Sequence, residues 1–119
     1  MKKILIADDA LFMRMMLKKM LTEAGYKEFA EAADGKEACE LYQKEKPALV
    51  LMDISMPNMN GIDALKEIRN IDPEALVVMC SAVGQEAIIV EAIEAGAMDF
   101  IVKPFKSEQL IEAIHKLLN

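Results

Sequence analysis

Four short apolar runs punctuate the chain, separated by longer stretches in which apolar residues recur every three or four positions. The runs are Ile4-Leu5-Ile6-Ala7, Leu49-Val50-Leu51-Met52, Leu76-Val77-Val78-Met79-Cys80 and Phe100-Ile101-Val102. Each has the length and β-branched content of a strand buried on both faces. A weaker run over 29–32 carries Glu31, which places it at a sheet edge. The intervening periodic stretches predict helices. The first covers 11–24, with Met13, Met16, Leu17, Met20, Leu21 and Ala24 on one stripe and Gly25 as its left-handed terminator. The second covers 36–46, after an Asp34-Gly35 turn and before Pro47. The third covers 62–70 and stops at Asp72-Pro73. The fourth opens at Gly84, runs to about residue 95 and is capped by Gly96. Ser107 is the expected N-cap of the last, whose Leu110, Ile111, Ile114, Leu117 and Leu118 face inward.

Strands alternating with helices imply an α/β domain, a doubly wound five-stranded parallel sheet with five helices. The order 2-1-3-4-5 puts the weak second strand at one edge and sets the first and third strands side by side. With 119 residues, the expectation is one domain over 1–119.

Polar residues sit where the apolar runs stop: Asp8 and Asp9, Asp53, Ser81 and Lys103. Ligand chemistry in parallel sheets gathers at the carboxyl ends of strands. Taken singly, Asp8-Asp9 reads as a solvated turn, Asp53 as a helix cap and Lys103 as an ordinary strand-end residue. Taken together they describe a small acidic pocket. Three crowded carboxylates repel one another, and Mg²⁺ relieves that repulsion through carboxylate, carbonyl and water oxygens, with Mn²⁺ able to substitute. Asp9, Asp53 and the backbone carbonyl of Ser55 are the candidate ligands, and Asp8 holds a metal-bound water. A carboxylate can also attack phosphorus, and Asp53 is the candidate nucleophile, with Lys103 and Ser81 as charge and hydrogen-bond partners of the phosphoryl group.

Composition narrows the alternatives. A net charge of −6 argues against a nucleic-acid backbone binder. No apolar stretch approaches the roughly 20 residues of a membrane span, and the short N-terminal run ended by Asp8-Asp9 is not a signal peptide. Cys39 and Cys80 lack metal-motif spacing and read as reduced, buried cysteines of a cytoplasmic protein. The ten methionines are read mainly as a plastic core. The single histidine, His115, is expected at the surface, away from the pocket.

Asp8-Asp9, Asp53-Ile54-Ser55-Met56-Pro57 with Gly61, Ser81-Ala82 and Lys103-Pro104-Phe105 resemble, in order and spacing, the receiver domain of two-component response regulators. The stretches Asp9-Ala10-Leu11-Phe12-Met13-Arg14 and Cys80-Ser81-Ala82-Val83-Gly84-Gln85 are similar to the stand-alone chemotaxis regulators of that family. The resemblance implies a flavodoxin-like fold and a monomeric switch, not an enzyme acting on a separate substrate. It implies that Asp53 accepts phosphate from a histidine kinase, that Ser81 and Phe100 switch, and that Asp8 and Asp9 serve the metal. A flagellar motor switch protein is the implied reader, with a dedicated phosphatase as a further partner. Ser81 and Phe100 stand where the family often has Thr and Tyr. The same residues leave open a receiver in a phosphorelay outside chemotaxis. They also leave open an aspartate-nucleophile phosphohydrolase, although position 55 is Ser where such enzymes carry a second acid. A flavodoxin-type electron carrier fits poorly, because Asp8-Asp9 would repel a flavin phosphate.

Overall fold

A computed structural model describes residues 2–82 and 86–118. Strands and helices alternate as β1 (Lys3–Ala7), α1 (Leu11–Glu23), β2 (Glu28–Ala32), α2 (Gly35–Glu45), β3 (Leu49–Asp53), α3 (Gly61–Ile71), β4 (Val77–Ala82), α4 (Glu86–Glu94), β5 (Asp99–Lys103) and α5 (Ser107–Leu118). All strand pairs are parallel, in the order β2-β1-β3-β4-β5. Receiver domains are themselves an established example of this doubly wound order.

The alternation of side chains along the strands splits the core into two layers. Leu5, Ala7, Val50, Met52, Val77 and Met79 pack under α2, α3 and α4. Ile4, Ile6, Leu49, Leu51, Val78 and Ile101 pack under α1 and α5. The central strands β1 and β3 are buried on both faces, which is why they read as unbroken apolar runs.

Local chemistry sets the element ends. Ala24 closes α1, Gly25 follows at φ +103°, and the Tyr26 N–H bonds back to Leu21. This is the 6→1 pattern that a left-handed glycine permits. Asp34 caps α2 by accepting from the Glu37 N–H at 2.7 Å, and Asn60 caps α3 by accepting from the Asp63 N–H at 2.9 Å. Lys2 Nζ donates to the Leu118 carbonyl, so the two ends of the fold meet.

Four expectations need correction or limits. The Lys106 carbonyl accepts from the N–H groups of Gln109 and Leu110, so the cap position of α5 falls one residue before Ser107, which is the first helical residue. β4 continues through Ser81 and Ala82, because both are paired with β5. Among the described methionines only Met52 and Met79 are fully buried, while Met15 and Met98 are exposed. A single apolar stripe does not use every methionine on a helix, so the plastic-core reading holds only in part. The expected opening of the fourth helix at Gly84 lies outside the described residues.

Candidate phosphoacceptor and metal site

The carboxyl ends of β1, β3, β4 and β5 converge. Ala7 pairs with Met52, so Asp8 and Asp53 leave adjacent strands at the same level. Asp53 pairs with Cys80, which puts Ser81 one residue beyond. Lys103 pairs with Ala82 at the end of β5. That strand lies two spacings from β3, about 10 Å. Only a long side chain can span such a gap. Lys103 Nζ donates to Asp53 Oδ1 at 3.2 Å and to Asp8 Oδ2 at 3.1 Å, reaching across the end of β4. The Lys103-Pro104 peptide is cis.

Asp8 is held from every side. Its N–H donates to the Ala32 carbonyl at 3.0 Å, and its Oδ1 accepts from the Ala10 N–H at 2.9 Å. Its carbonyl accepts from Arg14 Nη1 at 2.7 Å, while Arg14 Nε pairs with Glu31 Oε1 at 3.0 Å. Asp8 is accordingly only 3% exposed, whereas Asp9 is open to solvent. Oxygens of Asp8, Asp9 and Asp53 all lie within 4.8 Å of one another.

Burial raises the Asp53 carboxyl above its ordinary range. The Lys103 ammonium opposes this, and the charges of Asp8 and Asp9 reinforce it. Burial alone would push Lys103 down, but the two carboxylates outweigh it, and its ammonium is held above the usual lysine range. One cation thus faces three carboxylates. An all-oxygen donor set with surplus negative charge suits a hard divalent ion. Ser55 stands with Asp9 at the rim of an open cleft of about 640 Å³ between the β3–α3 loop, α3 and α4.

Gly61 explains how Asp53 is aimed. A Cβ at Gly61 would lie 2.0 Å from the Asp53 carbonyl oxygen, so only glycine lets α3 start against the strand end. Ser81 is fully buried, and its Oγ has no hydrogen-bond partner within the protein, the only such side-chain atom among the described residues. Phe100 is half-buried against the core layer under α2, α3 and α4. His115 is exposed on α5, edge-on to the Tyr26 ring at 5.5 Å.

The structure therefore brings together Asp8, Asp9, Asp53 and Lys103, with Ser81 at the adjoining strand end. Gly61 entered the sequence reading only as part of the family resemblance, and Arg14 and Glu31 were not read as supports of the site. The spacing of Arg14 on the polar side of α1 is that of any solvated helix residue, and nothing local marks its reach to the Asp8 carbonyl.

The family model of the response regulator receiver domain matches residues 4–115. This chain belongs to that family. The receiver is 58% identical to the chemotaxis protein CheY of Thermotoga maritima, over 98% of this chain and 97% of the relative. It is 55% identical to CheY of Bacillus subtilis, over 98% of both. Among solved structures it is similar to a chain of the CheX–CheY–BeF3–Mg²⁺ complex from Borrelia burgdorferi, with a TM-score of 0.93 and 33% identity over 99% of this receiver and 90% of that chain. No helix among the described residues is long and apolar enough to cross a membrane.

Proposed function

We propose that this receiver is a cytoplasmic chemotaxis switch that takes a phosphoryl group on Asp53 from a histidine kinase. The observation that carries the reading is the Lys103 ammonium bridging Asp53 and Asp8 beside Asp9. An Asp53 carboxylate oxygen attacks phosphorus, the P–N bond of the phosphohistidine breaks, and its electron pair leaves on the imidazole nitrogen. The product is an acyl phosphate. Lys103 balances charge on the transferred oxygens, and the rigid hold on Asp8 keeps the acidic frame from spreading. Bound Mg²⁺, or Mn²⁺ in its place, would be held by Asp9, Asp53 and the Ser55 carbonyl, with Asp8 on a bound water, and would supply further positive charge to those oxygens.

The Ser81 hydroxyl gains a partner when it turns to the phosphoryl group, which links the chemistry to β4. Movement there makes room for Phe100 and alters the face formed by α4, β5 and α5; Ile93 of α4 and Met98, just before β5, are exposed. To take the switch from about 1:99 to 99:1, phosphorylation must favour the active state by roughly 5.5 kcal/mol. The CheY relatives support the flagellar motor switch as reader, and a dedicated phosphatase is the further partner of this reading.

Mass spectrometry after acetyl phosphate and Mg²⁺ tests the assignment. One added phosphoryl group is expected on Asp53, and none on the Asp53→Asn variant. Undiminished labelling of that variant overturns Asp53 as acceptor. Turnover of many phosphate equivalents without accumulation of phosphoprotein would favour the hydrolase reading instead.

A further inference from the structure

The β3–α3 loop, which carries Ser55, is held at two places outside the acid cluster. At its far end, Gly61 N–H donates to the Ile54 carbonyl at 2.8 Å, closing the loop on itself. Midway, the loop rests on the start of α2. Asn58 has φ +64°, in the left-handed region that non-glycine residues rarely occupy, though Asn tolerates it better than most. Its Nδ2 donates to Asp34 Oδ2 at 2.7 Å, while the other oxygen of Asp34 caps α2. The next residue, Met59, accepts from the Gly35 N–H at 2.9 Å. A Cβ at Gly35 would lie 2.2 Å from the Met59 carbonyl oxygen, so this approach requires glycine. Met59 Sδ also lies 3.9 Å from Cys39 Sγ. Ser55 itself is exposed, so its placement depends on what the rest of the loop does.

We propose that Asp34 and Asn58 form a positioning clasp that ties the β3–α3 loop to the start of α2 and so sets where Ser55 meets the acid cluster. Neither residue is among the three carboxylates that make up that cluster. The inference rests on the metal-assisted reading above and assigns its tuning to the N-cap of α2 and the loop residue it holds. Asp34 serves two roles at once, so its carboxyl is held below the usual carboxylate range, first by the Glu37 N–H and then by Asn58.

Four variants separate the roles. Asp34→Ser keeps a capping oxygen but is too short to hold Asn58. Asn58→Gly keeps the left-handed backbone and loses the donor. The third is the double variant. The fourth exchanges the pair, Asp34→Asn with Asn58→Asp, and restores a carboxylate–amide bond. Mn²⁺ affinity is read by electron paramagnetic resonance, alongside the Mg²⁺ half-saturation and the saturating rate of acetyl phosphate labelling. Each single variant should bind Mn²⁺ about tenfold more weakly, the low end for partners that orient metal ligands. The double variant should be no weaker than either single, because both remove one interaction. The exchanged pair should recover most of the affinity, and the rate at saturating Mg²⁺ should be unchanged throughout. Parental Mn²⁺ affinity in both single variants overturns the clasp, and so do losses that multiply in the double. A parent protein that binds no Mn²⁺ overturns the reading of the acid cluster itself.

Discussion

Ser81 keeps a hydroxyl in the core with nothing in the protein to bond it. An unsatisfied buried polar group costs about 1–3 kcal/mol, so Ser81→Ala should resist urea better than the parent by roughly 1 kcal/mol. The same variant should still be labelled by acetyl phosphate yet lose phosphate-dependent binding to its reader. A less stable variant would show that the hydroxyl is satisfied in the resting protein. At this scale the site was largely legible in the sequence, since Asp8, Asp9, Asp53 and Lys103 each interrupt or end an apolar run. What escaped was the support around them. Arg14, Glu31, Asp34 and Asn58 act through side-chain contacts between different elements, and their local setting is that of ordinary surface or turn residues.

The second helix carries a pH response independent of the site. Burial, with help from Glu67, pushes the Cys39 thiol up to about 12 from 9.0. Burial, and then the bond its hydroxyl donates to Asp72 at 2.8 Å, raises the Tyr42 phenol above its ordinary 10.0. Both folded values exceed the unfolded ones, so this stabilisation is complete below pH 9 and declines as pH rises through the unfolded thiol and phenol values. The decline is at most about 1.4 kcal/mol per pH unit for each group. Urea unfolding between pH 8 and 11 should show it, and a Cys39→Ala, Tyr42→Phe variant should show a shallower slope. Equal slopes would place the titrating groups elsewhere. On the first helix, Phe12 and Met15 are 74% and 59% exposed beside Asp8 and Asp9, with Leu11 exposed next to them. Changing Phe12 and Met15 to Ser should slow transfer from the kinase and leave acetyl phosphate labelling intact, because a small donor needs no docking face. Slowing of both would mean that the pair supports the pocket. Helix positions were readable from periodicity. The shift at Ser107 and the exposed methionines were not, because a cap one residue away and a stripe one residue wide have the same local composition.

For the molecule as a whole, strand order followed from alternation, the weak β2 and the handedness of crossovers, and the two-layer core followed from the pleat. Sequence patterning says much less about how close the start of β1 lies to the end of α5. All strands run the same way, so the acid cluster occupies one edge of the sheet. Lys2 and Leu118 touch at the other, where β1 begins and α5 finishes. Cargo tethered near either residue therefore hangs from the pole opposite the chemistry. The same meeting makes the fold a candidate for circular permutation. A short linker could join Leu118 to Lys2, and the domain could be opened at the exposed Pro73-Glu74 turn between α3 and β4. Such a permutant should fold and still be labelled on Asp53. Failure to fold would reveal that the order in which the elements emerge, and not only their final contacts, matters to this sheet.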